Sequence, residues 1–512
     1  MTSVAELVDR ASRRFAARVA VVDGDRHLAF ADVGERSSRL ANALVALSPS
    51  AGSRVAVLMS NRLEFVEVDF AIAKAGKVKA PINPRLADDE RRFILSNCGA
   101  EVVVTERLEE ERVQALRSEL PDLKHVIVVD REGYGDLLTR ASARRPRVEI
   151  DPDQPSMILH TSGTTGRPMG ATTSQRARVA ATVNMLLDEF SAGERDGMLH
   201  MAPMSHGSGS KILAYFVRGA RNVTLAKFDP EAFLQAVASA GVTSTFVVPT
   251  MIRLLLDALE RRSYDLSNLR NITYGGAPMP TSLAEEALAA FGPVLTQVYG
   301  SCEAPHPVTV LSKSDHVDGE RAHLSSAGQP ALGAQIRIVD DEGRDVSTGK
   351  PGELWIRGAN LMTEYWGDIE ATRRVFSDGW YRSGDIAQLA EDGYVSIVGR
   401  EREMLISGGL NVYPAEVETV LHRHPDISEA AVLGVPDDLW GETVTAVIVT
   451  RKGRRASEED IVRHCKESLA DYKKPRRIIF VDSLPKGNTG KVSKQALLEI
   501  VTRRHSASTD RQ

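Results

Sequence analysis

The sequence predicts an α/β fold of largely parallel sheets, followed by a β-rich stretch and a second, shorter α/β region. Three observations carry this. Helix-spaced and strand-like segments alternate through residues 1–150 and again through 156–310. Strand candidates such as Arg54-Val55-Ala56-Val57-Leu58-Met59 are continuous apolar runs, the pattern of a strand covered on both faces. Residues 328–400 instead break short β-type runs with turn chemistry at Asp340-Asp341-Glu342-Gly343, Gly349-Lys350-Pro351-Gly352 and Glu391-Asp392-Gly393.

Taken in order, residues 5–15 have helical apolar spacing. Residues 19–22 and 27–30 read as paired strands around the turn at Gly24-Asp25. Helices are expected at 36–47 and 65–75, and buried strands at 54–59, 100–105 and 125–129. A helix is expected over about 174–190, and strands over 245–250 and 271–278, the latter ending in Gly275-Gly276. In an open α/β sheet, ligands sit outside the carboxyl ends of strands, so a strand running into glycines is a candidate site wall. The β-rich stretch has strands at 334–339, 352–356 and 394–398. Beyond it come a helix at 414–422, strands at 428–435 and 443–449, a helix at 458–469 and a strand at 476–481. Residues after Thr502 read as disordered.

At 512 residues the chain is long enough for more than one domain with its own core. Its 42% hydrophobic and 26% charged residues are those of a soluble globular protein. A net charge of −5 argues against a general nucleic-acid surface. Cys98, Cys302 and Cys465 lie far apart, with neither disulfide nor metal spacing, which fits a reducing cytoplasm. The N-terminus lacks a basic start followed by an apolar run, so no signal peptide is expected. No run approaches the roughly 18 apolar residues of a membrane span.

The most informative stretch is Leu159-His160-Thr161-Ser162-Gly163-Thr164-Thr165-Gly166-Arg167-Pro168-Met169-Gly170. Glycines let the backbone approach a ligand, hydroxyls add donors, and a strand feeding such a loop suits a phosphate chain. It is neither a Walker loop nor G-x-G-x-x-G. By composition alone it could equally be a flexible surface loop. Further along stand Met204-Ser205-His206-Gly207, Tyr274-Gly275-Gly276-Ala277-Pro278, Tyr299-Gly300-Ser301-Cys302-Glu303, Trp380-Tyr381-Arg382-Ser383-Gly384-Asp385 and Gly399-Arg400. Two more follow, Gly408-Gly409 and Leu484-Pro485-Lys486-Gly487-Asn488-Thr489-Gly490-Lys491. Each has a plain reading too: His206 as a structural histidine, Asp385 as a cap, the run from Arg400 as a solvated loop, Lys491 as a surface lysine.

In this order, these motifs resemble those of the adenylate-forming (acyl-CoA synthetase, AMP-binding) superfamily, over about residues 10–500. The resemblance implies a large N-terminal domain, 1–400, of parallel-sheet α/β subdomains plus a β-rich subdomain. It also implies a hinge at 401–402 and a small mobile α+β C-terminal domain, 403–512. Thr161, Ser162, Gly163, Thr164, Thr165 and Gly166 would hold the phosphates of ATP. Gly275, Gly276, Ala277 and Pro278 would flank the adenine and the acyl group, Tyr299 in the Tyr299-Gly300-Ser301-Cys302 motif would cover the adenine face, and Cys302 would stand at a phosphate contact. Glu303 would hold Mg²⁺, while Asp385 and Arg400 would hold the ribose and nucleotide. His206 would face the acyl group, Gly408 and Gly409 would let pantetheine pass, and Lys491 would be the catalytic lysine. Two positions depart from the pattern. Met169 stands where the loop usually has lysine, and Cys302 where the Tyr-Gly motif usually has threonine.

The implied reaction is adenylation of a carboxylate by ATP, releasing pyrophosphate, then thioester formation with CoA, releasing AMP. Two other readings stay open. In one, the activated acyl group passes to a non-CoA acceptor, such as a carrier-protein thiol, an amine or nitrite. In the other, the chain binds nucleotide with degraded catalysis, as Met169 and Cys302 together suggest. The partners implied are a small carboxylic acid and CoA, with a homodimer allowed. Met204, His206, Phe246, Val248, Gly275 and Val298 are expected pocket walls, suiting a medium-chain or aromatic acid. No second charged anchor for a dicarboxylate or amino acid stands out.

Overall fold

The computed structural model describes residues 3–161, 168–239, 241–318, 321–407, 410–437, 440–487 and 492–509. Among these described residues the strands form four sheets. In the first, the parallel strands Pro155–His160, Val78–Ile82, Arg54–Leu58, Ala100–Thr105 and His125–Val128 lie side by side. Gly170–Ser174 is the antiparallel return of Pro155–His160, and Glu364–Tyr365 pairs with it to form that edge. The expected double coverage holds. Val55, Val57, Val102 and Val104 face one core with Leu40, Phe65 and Phe70. Ala56, Leu58 and Val103 face another with Ile94 and Leu95.

The second sheet has the parallel strands Leu295–Tyr299, Asn271–Gly275, Ser244–Val247, Gly197–His200, Arg221–Thr224 and Val19–Asp23, in that order. Helix Leu63–Lys74 is buried along its whole length, and its charged residues are matched within the core. Asp69 pairs with Lys79 at 2.5 Å, Lys74 with Asp9 at 3.0 Å and Glu67 with Arg36 at 2.5 Å. The third sheet is antiparallel, with Ala334–Val339, Gly352–Gly358, Trp380–Leu389 and Val395–Arg400 at its centre. The fourth contains Leu405–Ser407, Gly441–Thr450 and Ile427–Asp437, with Arg477–Phe480 added in parallel. It belongs to a small C-terminal domain with apolar clusters of its own.

Five expectations change, one being the strand expected over 271–278, which ends at Gly275. The helix expected from residue 36 begins at Phe30. The strand expected to reach 250 ends at Val247, because Pro249, whose ring pre-sets a helical φ, opens helix Pro249–Arg261. The helix expected over 174–190 is regular only over Gln175–Asn184 and ends in a π-turn, Met185–Glu189. The tail expected to be disordered continues the helix Lys494–Thr509, anchored by the fully buried Leu497 and Val501 against Leu433, Val447 and Ile479.

Candidate active site

The carboxyl ends of Gly197–His200, Ser244–Val247, Asn271–Gly275 and Leu295–Tyr299 open on one edge of the nine-stranded sheet. Each leads into a motif singled out above, since parallel pairing puts all four exits on the same side. At the third exit Gly275 has no room for a side chain: a Cβ would lie 2.4 Å from the Val298 carbonyl oxygen. Gly276 takes a φ of +79°, followed by half-buried Ala277 and exposed Pro278.

At the fourth exit the chain makes a tight turn from Gly300 to His306. The Ser301 amide donates to the Ala304 carbonyl at 2.9 Å, and the Ala304 amide donates to Ser301 Oγ at 3.1 Å. Fully buried Asn360 donates from Nδ2 to the Pro305 carbonyl at 2.5 Å. A Cβ on Gly300 would meet the His306 amide nitrogen at 2.7 Å. Glu303 leaves this turn half-buried and accepts a hydrogen bond from Tyr365 Oη at 3.0 Å. Burial, and then Glu303 itself, raise the Tyr365 pKa, so the phenol stays a donor. Nearly buried Tyr381 packs beside both.

Two strands of the β-rich sheet supply the facing wall. Asp385 and Arg400 are cross-strand partners, and Arg400 Nε donates to Asp385 Oδ1 at 2.8 Å. Tyr299 Oη donates to the other oxygen, Oδ2. The Asp385 amide is tied to Ser383 Oγ at 3.1 Å. Burial acts to lower the Arg400 pKa, and Asp385, Glu403 and Tyr299 together more than offset it, so the guanidinium stays charged. Tyr299 is pushed well above its ordinary range by burial and by Asp385. The result is a carboxylate set between an arginine and a phenol, at the seam between the parallel sheet and the β-rich sheet.

On the first sheet, Thr161 and Met169 close the neck of the Gly/Ser/Thr loop. The Thr161 amide donates to the Met169 carbonyl at 2.9 Å, and the Met169 amide donates to Thr161 Oγ1 at 3.3 Å. Half-buried Met169, Cys302 and Tyr299 pack against one apolar cluster, so both departures from the superfamily pattern are seated in apolar surroundings. His206 follows strand Gly197–His200, is half-buried, and has Nδ1 at 3.0 Å from Ser205 Oγ. Ser162, Gly163, Thr164, Thr165, Gly166, Gly408, Gly409 and Lys491 lie outside the described residues.

The structure thus brings Tyr299, Asp385 and Arg400 together, and ties Glu303 to the strand that pairs with the exit of the loop. Tyr365 and Asn360 were not visible as site residues in the sequence. Their partners lie 62 and 55 residues away, across a sheet boundary, with no local pattern to mark them.

Known proteins are similar to this chain over almost its whole length. Residues 8–366 match the AMP-binding enzyme family, and residues 416–491 match the AMP-binding enzyme C-terminal domain. This chain is a member of the AMP-binding enzyme family. Among its relatives, the indoleacetate–CoA ligase of Aromatoleum aromaticum is 36% identical over 98% of each chain. A feruloyl-CoA synthase of an Amycolatopsis species is 36% identical over 93% of this chain and 94% of its own length. A fatty acyl CoA synthetase from Mycobacterium tuberculosis superposes with a TM-score of 0.78 at 31% identity, covering 97% of this chain and 98% of its own. An amide bond synthetase from Marinactinospora thermotolerans superposes with a TM-score of 0.88 at 29% identity, over 96% and 99% of the two chains. Among the described residues of this family member, no helix is long and apolar enough to cross a membrane. None of their His, Cys, Asp and Glu side chains form a cluster of three or more that could enclose a metal ion.

Proposed function

We propose that the chain is an ATP-dependent, AMP-forming acyl- or aryl-CoA ligase whose nucleotide lies against Tyr299, Asp385 and Arg400. The observation that carries the site assignment is the Asp385 carboxylate, oriented by Arg400 and Tyr299 at the strand exits. Asp385, with both oxygens presented on a fixed backbone, accepts from the ribose hydroxyls. Gly275, Gly276, Ala277, Pro278, Gly300, Ser301 and Cys302 border the base and the acyl group, and Thr161 to Gly166 hold the phosphates. Glu303 fits a Mg²⁺ that is otherwise held by phosphate and water, since a single carboxylate is enough for such an ion. Bound there, Mg²⁺ would neutralise phosphate charge.

The acid carboxylate attacks the α-phosphorus, forming a C–O–P bond as the bond to the pyrophosphate oxygen breaks. Both reactants are anions, so the barrier falls when cations are fixed along the path of charge. Lys491 supplies one, bridging carboxylate and α-phosphate, which also holds the pair at attack distance. His206 borders the acyl carboxylate. The small domain then turns about 401–402, residues 403–512 moving against 1–400, and Gly408 and Gly409 border the incoming pantetheine. The CoA thiolate attacks the carbonyl carbon, and AMP leaves with the bonding pair.

The likeness to an amide bond synthetase supports a second reading, in which an amine takes the acyl group in place of CoA. Release of AMP and pyrophosphate over aliphatic, aromatic and dicarboxylic acids, with and without CoA, separates the two. AMP release requiring one acid class and CoA supports the ligase. Pyrophosphate exchange without CoA-dependent turnover supports another acceptor. Silence with every acid, unrelieved by Met169→Lys, would leave only a nucleotide-binding role.

A further inference from the structure

The turn that carries Glu303 ends on His306, and His306 belongs to a buried polar cluster that activation of a carboxylate does not require. Lys211 is 1% exposed and ion-paired with Glu189, which is 3% exposed. The π-turn Met185–Glu189 delivers Glu189 to this place, and local π-geometry is frequent at functional sites. The Lys211 ammonium lies 3.1 Å from His306 Nδ1 and 5.5 Å from the centre of the Phe246 ring. Phe246 stacks parallel to His306, with centroids 5.6 Å apart and an interplanar angle of 8°. Gly207, next to His206, makes room for that ring: a Cβ there would meet Phe246 Cε1 at 2.7 Å. A buried ion pair is a poor source of stability compared with an apolar wall of equal volume, so the cluster invites a role in recognition.

The hydrogen bonds set the protons. Ser210 Oγ donates its only hydrogen to the Gly207 carbonyl at 2.6 Å. It must then accept from His306 Nε2, 3.2 Å away, so the imidazole carries its hydrogen on Nε2. Nδ1 is left as the acceptor for Lys211 at 3.1 Å, the nearer of its two charged neighbours, with Glu189 Oε2 at 3.5 Å from the same nitrogen. Burial and the adjacent ammonium lower the His306 pKa, with Glu189 acting the other way, and the ring stays neutral. Because Glu189 neutralises Lys211, the cluster offers no net charge for a second carboxylate. It offers one directed N–H beside an aromatic ring, and the 3.2 Å contact to Ser210 is long enough to be exchanged for a better acceptor.

We infer that His306 reads an oxygen on the body of the acid. Its Nε2–H donates to a hydroxyl or keto oxygen remote from the carboxylate, on a substrate laid beside Phe246, and Lys211 and Glu189 are positioning residues that hold the imidazole in that tautomer. This rests on the acid-activating reading above and narrows it to oxygen-bearing acids.

The test is acid-dependent pyrophosphate exchange, which needs no CoA, with paired acids. One pair is para-hydroxyphenylpropanoate and phenylpropanoate; the other is a ring-ketone carboxylic acid and its carbocyclic parent. The wild type is expected to favour the oxygenated member in kcat/KM by about tenfold, the worth of one well-placed hydrogen bond. In His306→Phe the ratio should fall to about one, and His306→Gln, which retains an N–H, should recover part of it. The double variant Lys211→Met, Glu189→Met should lower the ratio mainly through a raised KM for the oxygenated acid. A wild-type ratio near one, or a ratio untouched by His306→Phe, overturns the inference while leaving the ligase intact. Should His306→Phe not fold, the wild-type ratio and His306→Gln decide it. Exchange absent with every acid overturns the ligase reading, and this one with it.

Discussion

Met169 stands where the phosphate loop of the superfamily usually carries lysine, and the structure gives it a place that needs no charge. Its backbone keeps the loop neck closed through both hydrogen bonds with Thr161, and its side chain lies on an apolar cluster instead of offering a charge. A charge-assisted hydrogen bond contributes about 1.5–3 kcal/mol, so Met169→Lys should tighten ATP binding about ten- to a hundredfold. The rate at saturating ATP should change little, since the proposed bridging cation is Lys491. Calorimetric titration with ATP checks this, and unchanged affinity would refute it. Asp385→Asn acts in the opposite sense. It removes the charge that Arg400 neutralises and one of two acceptor oxygens. Steady-state kinetics should show the KM for ATP raised about tenfold or more, with the KM for the acid little changed. Equal losses for both substrates would mean that Asp385 supports the fold and not the nucleotide.

The element that organises the site is the strand Leu295–Tyr299 with the turn after it. One short segment carries Tyr299 toward Asp385, Glu303 toward Tyr365 and His306 toward Lys211. The turn can be this tight only because position 300 lacks a side chain. In Gly300→Ala the new methyl would stand 2.7 Å from the His306 amide nitrogen and 2.8 Å from the Ala304 carbonyl, both backbone atoms. The turn must open, so ATP and acid affinities should fall together. Gly207→Ala meets the Phe246 ring first, a side chain that can move, and should weaken the acid alone. Separate binding isotherms for the two ligands distinguish these patterns. A Gly300→Ala enzyme that keeps its affinity for either ligand would show that the turn does not couple them.

At the scale of the molecule, most charges buried among the strands are paired, but several histidines are buried neutral. Burial holds His160, His200 and His422 at about 4. An unfolded histidine binds its proton near about 6.5. As pH falls from about 6.5 to about 4, the unfolded chain takes up protons that the folded chain refuses, so stability falls, by up to about 1.4 kcal/mol per pH unit for each such group. Above that window these groups add no slope. Glu189, pushed up by burial but held at about 2 chiefly by the charge of Lys211, works in a lower window: its contribution is lost as pH falls from about 4.5 toward about 2. The urea midpoint should therefore drop between about pH 7.5 and about pH 5, and a constant midpoint across that range would contradict the buried neutral histidines. Arg451 joins the small domain to Glu286 at 3.2 Å, with both side chains about one-third exposed. A pair that exposed contributes little, so it offers no obstacle to the domain turn proposed above.

The sequence by itself determined the α/β class, because strands covered on both faces need continuous apolar runs, and Val55, Val57, Ala56 and Leu58 do face two different cores. It also carried the motifs that mark the superfamily, because glycines and short polar residues at strand exits are local requirements written in local order. Boundaries set by packing were less legible, as at Phe30 and in the C-terminal helix, where distant apolar partners outweigh local composition. Which side chains meet depends on how the sheets pack. Asp385 finds Tyr299 across 86 residues, and Lys211 finds His306 across 95. That lysine is the charged group absent from the sequence-level list of pocket walls, and Glu189 neutralises it. No spacing along the chain encodes such pairs, because they depend on how two sheets and a π-turn are brought to one edge.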